Sequence, residues 1–210
     1  MNRDTQLLTI AGPAGALACA IDEPPAEARV DGAPRGVAVI CHPHPLHGGT
    51  MDNKVVQTIA RAVLQLGFRA VRFNFRGVGE SSGTYDDGRG ETDDALAVVA
   101  AHRQAGVPLW LAGFSFGSFC AAQAAARLAE AGTPADRLAL VGPATSRFAL
   151  PAVPADTVVV HGEADEVVPL QATFDWARPQ ALPVTVLPGV GHFFHGQLTL
   201  LKTVLVQALR

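Results

Sequence analysis

The chain has 210 residues, of which 49% are apolar and 17% are charged, so it is long and apolar enough to bury one sizeable core. We therefore expect a single domain over residues 1–210. The formal net charge is −3 and like charges form no blocks, which argues against a nucleic-acid partner and against binding to an anionic membrane.

The N-terminus and the cysteines bear on where the protein works. Residues 7–20 are fairly apolar and resemble a signal peptide, but Asp4 spoils a basic leading segment and a turn at 12–15 splits the stretch. No apolar run is long enough to span a membrane. We therefore expect a cytoplasmic protein. Three widely spaced cysteines in apolar stretches, as is typical of reduced core thiols, agree with a reducing compartment: Cys19, Cys41 and Cys120.

Hydrophobic periodicity predicts the secondary structure along the chain. Two short strands around the turn at 12–15 form a hairpin, and a Pro- and Ala-rich loop follows. The next strand, at 36–41, shows no polar alternation, which marks a strand buried on both faces of its sheet. The predicted strands are 7–11, 16–22, 36–41, 68–75, 109–112, 138–141, 157–160 and 184–187, and the predicted helices are 52–66, 91–105, 116–131, 170–177 and a closing helix that ends at Arg210.

A hairpin followed by alternating strands and helices predicts an α/β fold with an open, mostly parallel sheet and helices on both faces. Binding and reaction sites in such sheets lie beyond the carboxyl ends of the strands. The residues directly after each strand are therefore the ones to examine for a nucleophile, a base, an orienting acid and donors to an oxyanion.

Residues 108–120 carry the most specific pattern in the chain. A short apolar strand runs into Gly-Phe-Ser-Phe-Gly at 113–117 and continues into an alanine-rich stretch of helical composition. This Gly-x-Ser-x-Gly turn is the signature of a nucleophile elbow, in which the serine is strained and the glycines permit close backbone contacts. The alternative is a chance match in a structural turn, which the flanking strand and helix disfavour. Ser115 is the predicted nucleophile.

Two later loops supply the groups that a serine nucleophile needs. Residues 161–166 follow one strand and include three carboxylates, and residues 188–195 follow the next strand and include two histidines. A neutral imidazole takes the serine proton, while a carboxylate fixes the imidazole tautomer and stabilises its charged form. The chain order of serine, acid and histidine predicts the triad Ser115, Asp165 and His192.

The other residues of the loop at 161–166 have simpler interpretations. Asp165 itself has the alternative of being only a turn residue. We interpret Glu163 and Glu166 as solvated, and His161 as a packed or hydrogen-bonded residue at the end of its strand.

Five stretches, which together span most of the chain, match a single family. The sequence resembles a family of small bacterial serine hydrolases of the α/β-hydrolase superfamily that lack a lid and are related to dienelactone hydrolases. The resemblance implies one α/β-hydrolase domain over 1–210 without a lid, a serine nucleophile, and a triad that falls on Ser115, Asp165 and His192. The matching stretches are Cys-His-Pro-His-Pro-Leu-His-Gly-Gly-Thr-Met-Asp-Asn-Lys-Val-Val (41–56), Arg-Phe-Asn-Phe-Arg-Gly-Val-Gly-Glu-Ser (72–81), Gly-Phe-Ser-Phe-Gly (113–117), His-Gly-Glu-Ala-Asp-Glu-Val-Val-Pro (161–169) and Gly-His-Phe-Phe-His (191–195).

The resemblance also implies an oxyanion hole made of two backbone NH groups. One belongs to the residue after the nucleophile, Phe116, and the other to the loop after the third strand. We place the second at His44, because it lies between two prolines that have no NH and follows His42-Pro43, which stands where superfamily members carry His-Gly. Leu46 is the next candidate if the loop is displaced by one residue.

Two sets of basic side chains have alternative interpretations. His42, His44 and His47 could form a metal cluster, but prolines stiffen their loop and no carboxylate or cysteine follows at a zinc-like spacing. We expect neither a metal nor a cofactor. Arg72 and Arg76 could bind an acidic substrate or could be structural partners of loop carbonyls and nearby acids, and we favour the structural role.

The sequence therefore predicts a hydrolase that cleaves a carboxylic ester or thioester of a small-molecule acyl substrate through an acyl-serine intermediate. An acyltransferase or a peptidase could use the same triad. A binding protein that keeps the fold without turnover is the alternative from another functional class. Assembly into a homo-oligomer stays open.

Overall fold

The computed structural model describes residues 4–210. None of the helices in this part of the chain has the length and apolar character needed to cross a membrane. The strands are β1 (Gln6–Gly12), β2 (Gly15–Asp22), β3 (Gly36–Cys41), β4 (Phe68–Phe73), β5 (Leu109–Phe114), β6 (Arg137–Val141), β7 (Val158–Gly162) and β8 (Thr185–Leu187), and the helices are α1 (Lys54–Gln65), α2 (Arg89–His102), α3 (Phe116–Glu130), α4 (Leu170–Ala177) and α5 (Leu198–Ala208).

The eight strands form one sheet in the order β1-β2-β4-β3-β5-β6-β7-β8. β1 pairs antiparallel with β2, and β2 pairs antiparallel with β4, while every later pair is parallel. The predicted α/β fold, a mostly parallel sheet with an N-terminal antiparallel hairpin, is confirmed. Its parallel strands all direct their carboxyl ends to the same edge, where the loops after β3, β5, β7 and β8 can meet.

Strand β3 shows why the sheet is covered on both faces. All six of its residues are buried, as its unbroken apolar run predicts. Ala38 and Ile40 pack on the face covered by α1 and α5, whereas Val37, Val39 and Cys41 pack on the face covered by α2 and α3. Two hydrophobic cores therefore hold the central strands rigidly, which fixes the positions of the loops at their carboxyl ends.

Several predicted boundaries are wrong by about two residues, including the ends of β5 and β7, and a side-chain hydrogen bond explains two of the others. Helix α1 begins at Lys54 rather than at 52, since the Asn53 side chain accepts hydrogen bonds from the NH groups of Val55 and Val56 at 2.8 and 3.4 Å and caps the helix. Strand β4 ends at Phe73 rather than at 75, since the NH of Phe75 donates to the His42 ring at 3.0 Å instead of to a strand.

The boundaries of α2 are shifted towards the N-terminus, from the predicted 91–105 to Arg89–His102. The Glu91 carboxylate accepts hydrogen bonds from the NH groups of Asp86 and Gly88 at 2.9 and 2.7 Å, which starts the helix before Glu91. At the other end Arg103 is already extended, well before the glycine at which the sequence predicts the stop.

The segment between β6 and β7, residues 142–157, contains no helix and folds as a short loop over the edge of the sheet. α/β hydrolases that have a lid usually insert it here. The predicted absence of a lid is confirmed, and the carboxyl ends of the strands stay accessible from this side.

All three cysteines are free thiols and are buried. Burial raises the pKa of Cys19 to about 12, and it raises the pKa values of Cys41 and Cys120 as well. Thiols of this kind are almost never ionised near neutral pH, so they are inert as nucleophiles.

Candidate active site

Ser115 is the single residue between the end of β5 and the start of α3. Its φ of 56° and ψ of −118° lie in a region that residues other than glycine rarely adopt. The Ser115 NH donates to the Val141 carbonyl and its own carbonyl accepts from the NH of Ser118, both at 2.9 Å. These bonds hold the strained strand-turn-helix geometry that the Gly-x-Ser-x-Gly pattern predicts.

The two glycines of the turn are needed because backbone atoms pass directly over them. A Cβ atom at Gly113 would collide with the carbonyl of Gly117, and a Cβ atom at Gly117 would collide with the carbonyl of Cys41. The second contact packs the start of α3 against the end of β3. Ser115 is thereby brought next to the loop that begins at His42.

His192 lies between Asp165 and Ser115 and touches both. Its Nδ1 is 2.6 Å from Asp165 Oδ2, and its Nε2 is 3.0 Å from Ser115 Oγ. Because an ionised carboxylate only accepts hydrogen bonds, Nδ1 carries the ring proton and donates a hydrogen bond to Asp165. Nε2 is then free to accept a hydrogen bond from the Ser115 hydroxyl. The structure thus brings together all three residues of the predicted triad, from the loops after β5, β7 and β8.

The Asp165 carboxylate is fixed in place by backbone groups of its own loop. Oδ1 accepts hydrogen bonds from the NH groups of Val167 and Val168 at 2.9 and 2.7 Å. Burial by itself raises the pKa of Asp165, but the hydrogen bonds from His192, Val168 and Val167 favour the ionised form and outweigh it. The pKa therefore lies below its ordinary value, and the group is a carboxylate at neutral pH.

A second buried histidine faces the same carboxylate. His161 Nε2 lies 2.9 Å from the Val168 carbonyl and 3.4 Å from Asp165 Oδ2, while Nδ1 lies 3.2 Å from Thr173 Oγ1. Since a carbonyl oxygen only accepts, Nε2 carries the ring proton and Nδ1 accepts from the Thr173 hydroxyl. Burial lowers the pKa of His161, so the ring is neutral. The interpretation of His161 as a hydrogen-bonded strand-end residue is confirmed.

Glu163 and Glu166 are exposed, as predicted, but they also connect the two loops of the site. Glu163 Oε2 accepts from the NH of Gly189 at 2.8 Å, and Glu166 Oε2 accepts from the NH of His192 at 3.4 Å. Interpreting them as merely solvated is therefore incomplete. Both bonds help to hold the histidine loop against the loop of Asp165.

We expect the contribution of Asp165 to folding stability to disappear in acid. Its pKa is lower in the folded chain than in the unfolded chain, so the ionised group stabilises the fold fully above its unfolded pKa of about 3.9. That stabilisation is lost as the pH falls through the lower folded value. Urea midpoints of the wild type and of Asp165→Asn should differ most near neutral pH, and the difference should shrink as the pH falls below about 3.9. A constant difference across this range would contradict the lowered pKa.

The two predicted oxyanion donors, Phe116 and His44, line the same cavity as Ser115. Phe116 is the first residue of α3, where backbone NH groups have no partner within the helix. The alternative donor, Leu46, has its NH engaged with His44 Nδ1 at 3.3 Å, while His44 bonds through its ring and its carbonyl. This arrangement favours His44 over Leu46, and the oxyanion hole itself stays a prediction.

A cavity of about 290 Å³ opens beside Ser115 and His192. Its walls are mainly apolar and include the rings of Phe116, Phe148 and Phe193. One wall is the short loop between β6 and β7, and another is the loop after β3. Ser115 and His192 thus lie together in an apolar cleft whose size suits a small molecule.

The sequence matches the α/β-hydrolase fold family over residues 45–156, which is more than half of the chain. The chain belongs to this family. It is 39% identical to an α/β serine hydrolase without a lid from Xanthomonas campestris, and the similarity covers 100% of this chain and 95% of that one with a TM-score of 0.88. The predicted resemblance to lidless bacterial serine hydrolases is confirmed, while the relationship to dienelactone hydrolases stays a prediction.

Curated relatives match over part of this α/β-hydrolase chain. An uncharacterised protein from Rickettsia prowazekii is 40% identical over 97 residues, which are 45% of this chain and 41% of that protein. A lysophosphatidylserine lipase from Danio rerio is 35% identical over 105 residues, which are 48% of this chain and 27% of the lipase. The chain thus spans less than half the length of the curated relatives that it matches.

The histidines after β3 serve the architecture of this α/β-hydrolase fold. His42 Nε2 accepts from the NH of Phe75 at 3.0 Å, and its Nδ1 donates to the Pro43 carbonyl at 2.6 Å. Burial lowers the pKa of His42 to about 4, so it is neutral. Among residues 4–210, no group of three or more His, Cys, Asp or Glu side chains is arranged to hold a metal ion.

Sequence analysis missed a contact that fixes the ring of His44. Because His44 Nδ1 accepts from Leu46, its Nε2 carries the proton and donates to the Tyr85 hydroxyl at 3.1 Å. Tyr85 comes from the Gly-rich loop between β4 and α2, and no motif there signals the contact. The bond holds the His44 backbone beside Ser115.

Arg72 and Arg76 are structural, as the sequence favours. The Arg72 guanidinium forms ion pairs with the carboxylates of Asp22 at 3.0 Å and Asp52 at 3.2 Å. Two nitrogens of the Arg76 guanidinium donate hydrogen bonds to the Asp94 carboxylate at 2.8 and 3.0 Å. Neither arginine lines the cavity. Their guanidinium groups are thus committed to acids of the protein itself.

Proposed function

We propose that this protein is a serine hydrolase that cleaves a carboxylic ester or thioester through an acyl-serine intermediate, acting as one domain over residues 1–210. The observation that carries the proposal is the position of His192, whose two nitrogens contact Ser115 Oγ at 3.0 Å and Asp165 at 2.6 Å. This is the relation among nucleophile, base and orienting acid that acyl transfer to serine requires.

In the first half of the reaction, Ser115 Oγ attacks the substrate carbonyl while its proton passes to His192 Nε2. Asp165 stabilises the imidazolium that forms, and the NH groups of Phe116 and His44 donate to the oxyanion. As the tetrahedral intermediate collapses, the carbonyl re-forms and His192 gives the proton to the departing alcohol or thiol. The acyl group is then esterified to Ser115.

In the second half, water replaces the departed alcohol or thiol. His192 Nε2 takes a proton from the water as its oxygen attacks the acyl carbonyl, and it returns that proton to Ser115 Oγ as the ester bond breaks. The products are a carboxylic acid and the free enzyme. The apolar cleft gives the acyl group a place to stay between the two halves.

Acyl transfer to another acceptor and peptide hydrolysis would begin with the same acyl-serine. Two similarities support hydrolysis of an ester. The whole chain is similar to a serine hydrolase without a lid, and about half of the chain is similar to a lipase. Product analysis in water alone and with added alcohols or amines separates the alternatives. We expect the free acid as the main product under both conditions.

The direct test of the proposal is labelling of the folded protein with a fluorophosphonate, which reacts with activated serines. We expect one label on the peptide that contains Ser115 and none in Ser115→Ala. Ser146→Ala is the matched control, since Ser146 is an exposed serine on the loop between β6 and β7 and its loss should leave the labelling unchanged. A folded wild type that stays unlabelled would favour a binding protein without turnover.

We expect the enzyme to prefer short or extended acyl groups over long apolar chains. The segment between β6 and β7 forms no cap, and Phe116, Phe148 and Phe193 line the cavity, whereas Phe114 and Phe194 do not. A methylene contributes about 0.8 kcal/mol only where it is covered. kcat/KM for nitrophenyl esters should therefore level off by about the hexanoate. A steady rise to much longer chains would show a deep, covered pocket.

A further inference from the structure

Arg147 stands out among the side chains around the cavity. Of the described residues that line it, Arg147 alone carries a permanent charge, and none of the others is an aspartate or a glutamate. It lies on the short loop between β6 and β7, where the NH groups of Arg147 and Phe148 both donate to the Ala144 carbonyl, at 3.1 and 3.0 Å. The loop therefore holds the arginine at the wall of the cleft.

The guanidinium of Arg147 is available to a ligand. Within residues 4–210, no carboxylate forms an ion pair with it, whereas the two arginines that the sequence offers for an acidic substrate, Arg72 and Arg76, are paired with Asp22, Asp52 and Asp94. An arginine without an acid partner raises the electrostatic potential at the wall of a cleft that no described aspartate or glutamate lines.

The charge of Arg147 acts on His44, a residue that lines the same cavity as Ser115. Burial lowers the pKa of His44, and the electrostatic interactions with His47 and Arg147 lower it further, while Asp87 acts in the opposite direction. His44 lies in the cavity together with Ser115, so a group bound to Arg147 would remain within reach of the reacting carbonyl. The cation and the nucleophile thus share one small cleft.

We propose that the substrate carries an anionic oxygen group, a carboxylate or a phosphate, in addition to its ester or thioester, and that Arg147 binds this group. The inference rests on the proposed hydrolase function and adds the substrate class. A guanidinium presents paired NH donors that match two oxygens of either anion, which a lysine ammonium cannot do in the same geometry. Arg147 is thereby a specificity-determining residue outside the triad.

Matched neutral and anionic esters test this in two arms. One arm compares 4-nitrophenyl hexanoate with the 4-nitrophenyl monoester of adipic acid, which adds a carboxylate to the acyl end. The other compares acetylglycerol with acetylglycerol phosphate, which adds a phosphate to the leaving group. kcat/KM is measured for the wild type, Arg147→Gln and Arg147→Lys. Arg127→Gln is the control for lost charge, since Arg127 is exposed and lies about 17 Å along α3 from Phe116.

We expect the wild type to favour the anionic ester in at least one arm by about tenfold, the lower range for a hydrogen bond to a charged group. Arg147→Gln should remove that preference by slowing the anionic ester more than its neutral counterpart, Arg147→Lys should restore it in part, and Arg127→Gln should keep it. The preference should also shrink with added salt. The arm that shows it tells which anion, and which side of the ester, the site accepts.

The inference is overturned if the wild type turns over neutral esters without preferring an anionic one, or if Arg147→Gln keeps the preference. It is also overturned if Arg147→Gln slows neutral and anionic esters equally, which would indicate a general effect of its charge on the oxyanion. Failure of the hydrolase proposal looks different, because then the folded wild type would cleave no ester and would not react with a fluorophosphonate.

Discussion

Ser115→Ala should abolish ester hydrolysis while leaving the fold intact. The Ser115 hydroxyl is held 3.0 Å from His192 Nε2, and among the described residues that line the cavity Ser115 alone carries a hydroxyl group. Alanine keeps the small volume of serine at the elbow, so packing is preserved. The activity that remains should be a residual on the order of a thousandfold over water, supplied by the oxyanion donors and by binding.

Turnover of a nitrophenyl ester and the thermal unfolding midpoint should be measured together for this variant. Ser146→Ala, on the exposed loop, should match the wild type in both measurements. If Ser115→Ala kept more than about a tenth of the wild-type turnover, far above the residual expected for a lost nucleophile, Ser115 would not be the nucleophile.

His192→Ala should lose activity on the order of 10⁴-fold or more, whereas His195→Ala should remain within about twofold of the wild type. The two histidines lie three residues apart in the loop after β8, but only His192 contacts both Ser115 and Asp165. His195 is exposed, and its ring lies 5.8 Å from that of Phe193. Removing His195 takes away a surface contact, while removing His192 takes away the base.

Paired kinetics of these two variants, with circular dichroism to show that both are folded, decide between the histidines. His195→Ala serves as the matched control, since it removes the same ring from the same loop. The assignment of the base would be overturned if His192→Ala kept its ester turnover while His195→Ala lost it.

The parts of the site that sequence predicts best are those fixed by local backbone geometry. Ser115 is recognisable because a strained turn between a strand and a helix needs glycines at 113 and 117, and the same constraint appears in the contacts of those glycines. Asp165 and His192 are recognisable because parallel strands carry their following loops to one edge of the sheet. In each case, a short stretch of chain is enough to reveal the constraint.

The features that sequence misses depend on contacts between distant loops. Tyr85 reaches His44 across 41 positions, and Glu166 reaches the backbone of His192 across 26. Neither pair leaves a periodic or a motif signal. Arg147 is similar, because the loop that carries it has no motif and its importance lies in the cleft that it faces.

Neighbouring residues can also have opposite environments that composition does not reveal. Phe193 is 42% exposed and lines the cavity, whereas Phe194 is fully buried and has a φ of 52°. A left-handed residue reverses the side-chain direction expected from simple alternation, and sequence gives no warning of it when the residue is a phenylalanine. Phe193 therefore lines the cavity, and Phe194 packs in the core.

The central claim is that the reaction passes through an acyl group on Ser115. Mass spectrometry of protein quenched in acid during turnover of a slowly hydrolysed ester tests it most directly. The wild type should gain the mass of one acyl group, on the peptide that contains Ser115, and Ser115→Ala should gain none. Turnover by the wild type without that added mass under burst conditions, or with the acyl group on another residue, would contradict the mechanism.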